Sequence, residues 1–238
     1  MGSAVARILS DGSRKHLRIT HVCNRNIEQK RVEWLSEGVT WTDDIEVVLE
    51  SDVDIVIELI GGEEPATDWI RRSLREGKSV VTANKQVIAR YGAELEFIAQ
   101  EEKQWLRYEA AVAGGIPVIQ GLRDGLSGDR LFRILGILNG TCNYILTRME
   151  SDQVSFEKAL GEAQELGYAE ADPTFDIEGN DTAHKLAILT SLAFGTKISS
   201  DDIYVEGIPS ITTADIQAAD ELGFRIKLLG VAQRTDTG

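Results

Sequence analysis

Cysteine, proline and histidine are all scarce in this chain of 238 residues, with two, four and three of each. Cys23 and Cys142 lie far apart, with no CxxC pair and no histidine at zinc-ligand spacing. That excludes a disulfide scaffold or zinc ribbon and fits a reducing, cytoplasmic setting. Apolar residues at 42 % and charged residues at 27 % exclude a disordered or low-complexity chain. No apolar run approaches the roughly 18 to 20 residues that span a bilayer. The opening MGSAVARILSDGSRKH has no apolar segment behind a basic one, so no secretory signal is expected in it. Positive charge is also short: 25 Lys and Arg against 39 Asp and Glu leave a net charge of −14. The resulting field repels nucleic acid and anionic membranes, although a few placed bases still suffice to hold one phosphate. HExxH and Ser/His/Asp patterns are missing too, and His16, His21 and His184 are scattered.

What is present in the first hundred residues is an alternation. LRITHVC (17–23), VDIVIELI (53–60) and KSVVTA (78–83) are short, branched, apolar runs suited to strands buried on both faces. Between them lie the amphipathic stretches DDIEVVLES (43–51) and EPATDWIRRSLREG (64–77), the latter closed by Gly77. Strands alternating with helices imply parallel βαβ units and a doubly wound, Rossmann-type α/β sheet. The glycine-rich AVAGGIPVIQGLRDGL then reads as a junction. It separates two domains, 1–110 and 111–238, the second of mixed α+β character. That second domain should contain a strand, turn and helix in RLFRILGILNGTCNYILTRMES and helices over 154–167 and 180–195. A further helix is expected in TTADIQAADELG, and a strand at the start of FRIKLLGVAQRT.

Both ends read as abrupt. The segment after Gly2 resembles the helix that starts at the third glycine of a GxGxxG turn, with no strand before it, and QRTDTG stops where a strand ought to turn and pair. The expectation is a chain truncated at both ends, its nucleotide-binding sheet incomplete.

Chemistry concentrates in EADPTFDIEGNDTAHK (170–185). Five carboxylates, Glu170, Asp172, Asp176, Glu178 and Asp181, precede the single base Lys185. With Asn180 as N-cap, Asp181 and Lys185 fall four apart on one helical face. Either they form a surface pair, or Lys185 sits at the edge of an apolar core, where partial burial makes it a candidate general acid. VVTANK (80–85) lies where a parallel strand runs into a helix, the edge at which α/β sheets bind ligands, so Lys85 is either a solvated lysine or a partner for an anion. The glycines of ELIGG (58–62) make a turn or admit a flat ring. In CNRN (23–26), Arg25 stands near the place of the ribose-binding acid of NAD-preferring sheets, which favours a 2′-phosphate unless it is merely exposed. In YEAAVAGGIPVI (108–119), Glu109 lies beside a kinked glycine segment, read first as a turn and second as an oxygen site for a hard cation.

VVTANK, YEAAVAGGIPVI, GILNGTCNYIL, GYAEADPTFDIEGNDTAHKL and IPSITTADI, in this order and spacing, resemble homoserine dehydrogenases over nearly the whole chain. That family interconverts L-aspartate 4-semialdehyde and L-homoserine with NADPH or NADH, on the route to threonine, methionine and isoleucine. The resemblance implies that Lys185 is the proton donor, with Asp181 beside it, and that Glu170 and Asp181 hold the substrate. It implies that Lys85 serves substrate, cofactor or proton transfer, and that Gly2, Arg25, Gly61, Thr82 and Lys85 contact NADP or NAD. It further implies a monovalent cation, sodium in the first instance, on Glu109 and the backbone oxygens of Val112, Gly114 and Ile116, and a homodimer paired through substrate-domain sheets. Asp172, Asp176 and Glu178 are left as loop solvation or caps. Because the glycine-rich turn survives only as Gly2, the 238 residues alone are expected to bind NADP(H) poorly. The alternatives are another NAD(P)-dependent semialdehyde dehydrogenase, for which Cys142 lacks a nearby histidine, and a catalytically dead binding domain.

Overall fold

The computed structural model describes residues 1–235; Asp236, Thr237 and Gly238, the last of the QRTDTG end, lie outside the described residues. The chain divides into two units, Met1–Val87 with Tyr91–Tyr108, and Ile88–Arg90 with Glu109–Gly238.

Every strand pairing in the first unit is parallel, as strand–helix alternation requires. β1 (His21–Cys23) pairs with β2 (Thr40–Thr42), and β3 (Ile55–Glu58), β4 (Ser79–Thr82) and β5 (Leu106–Arg107) form a second sheet in that order. The helices are α1 (Gly2–Ser10), α2 (Ile27–Lys30), α3 (Ile45–Leu49), α4 (Ala66–Arg75) and α5 (Lys85–Glu101). Asp44 caps α3 by accepting the Glu46 N–H, and Asn84 caps α5 by accepting that of Val87. Gly77 ends α4 with φ +75°. Arg72 of α4 meets Glu46 of α3 through two hydrogen bonds of 2.7 and 2.6 Å. Leu49, Ile70, Leu74, Val80, Val87 and Leu95 make up much of this unit's core.

Two expectations are corrected here. The 17–23 run contributes only its last three residues to a ladder, and its partner, β2, is a strand the sequence did not announce. Three residues are too few for an alternating pattern to show. Nor are β3 and β4 covered on both faces: Ile55, Ile57 and Val81 remain 46, 38 and 38 % exposed. Alternate side chains of a strand point to opposite faces. α4 packs on these strands, and the buried positions are Glu58, Val80 and Thr82.

In the second unit, β6 (Arg133–Gly136) pairs antiparallel with β7 (Gly230–Gln233), Arg133 opposite Gln233. Its helices are α6 (Val118–Gln120), continued by a π-helical turn over Gly121–Gly125, then α7 (Gly140–Asp152), α8 (Phe156–Glu165), α9 (Thr174–Ile177), α10 (Asn180–Phe194) and α11 (Thr213–Glu221). Ile145, Leu146 and Met149 of α7 pack with Ala159 and Ala163 of α8, with the loop residue Ile208 and with Ile216 of α11 into one apolar cluster. The FRIKLLGVAQRT run forms its ladder at its end, not its start. Before the ladder, a helix side chain takes the partner strand's place. Asn143 of α7 donates Nδ2 to the Leu228 carbonyl at 3.1 Å and accepts the Leu228 N–H at 3.1 Å. One face of α10 lines a cavity of about 940 Å³ together with β7 and residues 203–206. Among the described residues, no helix is long and apolar enough to cross a membrane.

Candidate functional site

The first turn of α10 carries the densest polar chemistry in the second unit. The expected cap, Asn180, is instead the first helical residue, and Gly179 holds the cap position with φ +86°. A Cβ at Gly179 would stand 2.9 Å from Val205 Cγ1. A residue without a side chain is therefore needed to turn α9 directly into α10. The segment behind is pinned from outside, the Ile208 N–H donating to the Ile177 carbonyl at 2.8 Å.

Asp181 is 1 % exposed and accepts from Lys185 Nζ on Oδ2 at 2.6 Å. Lys185 Nζ also donates to the Leu138 carbonyl at 2.7 Å, and its side chain is 19 % exposed. This is an edge-of-core pair rather than a solvated one. Asp181 lies near the positive end of the α10 dipole, which offsets part of its desolvation. The same Oδ2 accepts a second bond, from Asn139 Nδ2 at 2.7 Å.

In this unit, Asn139 and Asp176 are the residues that sequence reasoning missed. Asn139 caps α7, its Oδ1 accepting the Cys142 N–H at 2.8 Å, while Nδ2 donates to Asp176 Oδ1 at 2.9 Å as well as to Asp181. Asp176 therefore belongs to the buried network, not to loop solvation. The NGT in GILNGTCNYIL was the available signal, and it reads as an ordinary turn-and-cap. Cys142 donates its thiol to the Asp176 carbonyl at 3.1 Å. Burial pushes that thiol up to about 12, and the Asp176 and Asp181 carboxylates add to the effect. It is a core residue, not a nucleophile.

The structure does not bring Glu170 into this network. It is exposed, and Gln164 Nε2 donates to its backbone carbonyl at 3.1 Å. Asp172 is an exposed loop acid one residue before the Pro173 cap of α9: hydrogen bonds from Thr174 hold its carboxyl below the usual range, one of them from the Thr174 N–H at 3.1 Å. Glu178 is exposed.

In the first unit, polar chemistry gathers at the C-terminal ends of β3 and β4. Glu58 is 5 % exposed, and its Oε1 accepts the Ile60 and Gly61 N–H groups at 2.8 and 3.2 Å. Its Oε2 accepts the Thr82 hydroxyl at 2.5 Å. Thr82 Oγ1 accepts the Asn84 N–H at 2.9 Å, and Asn84 Nδ2 donates to the Gly62 carbonyl at 2.7 Å. One buried acid, which the sequence reading passed over, thus fixes both the ELIGG turn and the TANK turn. Lys85 opens α5, half-buried. Nothing lies within 4 Å of where a Cβ would stand at Gly61 or Gly62, which leaves room for a planar ring against the backbone. Arg25 is exposed just past the end of β1, and Gly2 is exposed at the start of α1.

Glu109 has a structural task. Its Oε1 accepts the Ile119 N–H and its Oε2 the Gln120 N–H, both at 2.9 Å, at the start of α6. The Ile116 carbonyl accepts the Val118 N–H at 2.7 Å. Carboxylate and carbonyl oxygens each carry a second lone pair, so an all-oxygen set of Glu109, Val112, Gly114 and Ile116 still suits a hard cation in chemistry. No cluster of three or more His, Cys, Asp or Glu with metal-binding geometry occurs among the described residues.

A family model described as homoserine dehydrogenase matches residues 117–237, and one described as the homoserine dehydrogenase NAD binding domain matches residues 1–109. Homoserine dehydrogenase of Neisseria gonorrhoeae is 43 % identical over 245 residues, covering all of this chain and 56 % of its own length. That of Pseudomonas aeruginosa is 51 % identical over 196 residues, covering 82 % of this chain and 45 % of its own. The crystal structure of a homoserine dehydrogenase from Thiobacillus denitrificans superposes with a TM-score of 0.93 at 44 % identity, covering all of this chain and 56 % of that one. A hyperthermophilic archaeal homoserine dehydrogenase in complex with NADPH gives 0.69 at 30 % identity, covering 80 % of this chain and 56 % of that one. The chain thus spans about half the length of these relatives.

Proposed function

Because the chain belongs to the homoserine dehydrogenase family, we propose that it carries the catalytic and substrate-holding groups of an NAD(P)-dependent oxidoreductase that interconverts L-aspartate 4-semialdehyde and L-homoserine. The observation that carries this reading is the Asp181–Lys185 pair, whose 2.6 Å contact sits at the edge of a core. Two of the three Lys185 N–H donors are committed, to Leu138 and Asp181. The third is available for the substrate oxygen. The bound dinucleotide supplies the hydride. As the carbonyl oxygen gains charge, Lys185 stabilises it and delivers a proton, and the buried carboxylate beside it holds the ammonium in position. Glu170 and Asp181 are the acids assigned to the substrate's ammonium group.

Residues 1–110 are assigned to the dinucleotide and 111–238 to the substrate. Gly61, with its open space, Thr82, fixed by Glu58, and Lys85, at the start of α5, would hold the nicotinamide end; Arg25 favours NADP, and Gly2 would lie near the pyrophosphate. Lys85 is assigned to cofactor binding or proton transfer. A monovalent cation on Glu109, Val112, Gly114 and Ile116 would stiffen the 109–120 segment and do no chemistry. We place the protein in the cytoplasm, which its two free cysteines suit. A homodimer, joined through the β6–β7 sheet where Leu135 and Val231 are 55 and 47 % exposed, completes the reading.

The test replaces the matching part of the Neisseria relative with this chain and measures NADPH-dependent reduction of aspartate semialdehyde. The chimera should turn over, and Lys185→Met should lower kcat by about a hundredfold or more with the fold retained. A folded but inert chimera overturns the reading. The 238-residue chain, assayed alongside, tests whether it holds NADPH unaided.

A further inference from the structure

We propose that Asn139 is a positioning residue for the Asp181–Lys185 pair, its side-chain amide standing between two acids so that Asp181 faces the lysine and not Asp176. The inference rests on the role assigned to Lys185 above. Its grounds are geometric.

Asn139 is 3 % exposed, and every polar atom of its side chain is in use. Oδ1 accepts the Cys142 N–H and so caps α7; Nδ2 donates one hydrogen to Asp176 Oδ1 and the other to Asp181 Oδ2. Since Nδ2 has only two hydrogens, capping and bridging exhaust the group. The next residue back takes part as well. The Leu138 carbonyl accepts from Lys185 Nζ at 2.7 Å. Adjacent positions therefore grip both members of the pair, one through its backbone and one through its side chain.

The amide bridge decides which way Asp181 points. Two carboxylates that share a low-dielectric site repel, or one takes a proton. With a neutral double donor between them, Asp176 and Asp181 are each satisfied, and Oδ2 of Asp181 remains aimed at Nζ. Take the donor away and Asp181 must turn from Asp176 or become protonated. Either response loosens its hold on Lys185. The capping function of Asn139 is separable from this, because serine and threonine also cap helices through a side-chain oxygen.

Asn139→Ser and Asn139→Thr therefore keep the cap and delete the bridge. The first measurement needs no activity. In the 238-residue protein, the rate at which an amine-acylating reagent modifies Lys185 is followed by mass spectrometry at fixed pH, with surface lysines as internal references. Both variants should label Lys185 at least about threefold faster than the parent. Adding Asp176→Asn, which removes the repelling charge, should bring the rate back toward the parent value. A role confined to capping leaves all the rates alike, and that result overturns the proposal. If one variant fails to fold, the other carries the test. In the Neisseria chimera the same substitutions should lower kcat about tenfold or more and leave the KM for NADPH unchanged. A labelling change with no turnover in any chimera, parent included, defeats the assigned activity and leaves the positioning role of Asn139 standing. An unchanged labelling rate in an active chimera does the reverse.

Discussion

Gly207 lies directly against the backbone of Glu178: a Cβ on Gly207 would stand 2.7 Å from Glu178 Cα and 2.6 Å from the Ile177 carbonyl oxygen. Backbone atoms cannot step aside as a flexible side chain can. Gly207→Ala should therefore push the 177–179 turn away and destabilise the fold by about 1 to 3 kcal/mol, the usual cost of overpacking. Urea unfolding measures it. A variant as stable as the parent would show that this turn adjusts freely and does not hold α10 in register.

The Asp181–Lys185 contact should be strongly coupled. Lys185→Met takes the cationic partner from a buried carboxylate, and the expected loss is about 3 kcal/mol. Adding Asp181→Asn should recover much of that loss. A double-mutant cycle in denaturant reads the coupling. Additive single losses would mean the two groups do not depend on each other.

Glu58 should be more costly to truncate than to neutralise. Glu58→Ala orphans the Ile60 and Gly61 N–H groups and the Thr82 hydroxyl, with an expected loss of about 2 to 4 kcal/mol. Glu58→Gln keeps an acceptor oxygen and should lose less than half as much. Equal losses would point to the charge itself, and not the hydrogen bonds, as the stabilising element.

Cys142 supplies a pH signature. Its thiol is held protonated well above the ordinary value of 9.0, up to about 12 in the folded protein, chiefly by burial. Between those two values the unfolded chain has lost the proton and the folded chain has kept it. Stability from this group is therefore fully present below pH 9 and declines as pH rises toward 12. Cys142→Ala should flatten that alkaline decline in a series of unfolding curves, and native Cys142 should resist alkylation at neutral pH while Cys23, half-buried, reacts first. Rapid alkylation of Cys142 would mean the site opens.

Much of this was legible because local chemistry and tertiary environment agree. VVTANK announces a strand running into a helix, and β4 and α5 occur in that order. The 180–194 helix and the Asp181–Lys185 spacing are likewise set by short-range periodicity. The failures have a common cause, in that they depend on what faces a residue across space. β2 has too few residues to show a pattern, and the open face of β3 cannot be inferred from Ile55 and Ile57, which look fully buried in sequence. Asn180 reads as a cap only if one ignores Val205, which crowds Gly179 from another segment. Asn139, Asp176 and Glu58 each carry a polar side chain that turn chemistry explains well enough, so nothing local marks them as parts of buried networks.

The grip of Asn143 on Leu228 bears on how the short sheet is aligned. Four residues per strand give β6 and β7 little power to choose among pairings, and a slip of one residue would exchange their faces. An amide on α7 that takes both the N–H and the C=O of Leu228 acts as a peg driven in two residues ahead of the ladder. It fixes the count between residue 228 and the first rung at 230. Deleting Leu229, the residue between the peg and the first rung, would leave β7 intact as a sequence and still seat it wrongly, because the helix, not the neighbouring strand, sets where the pairing begins.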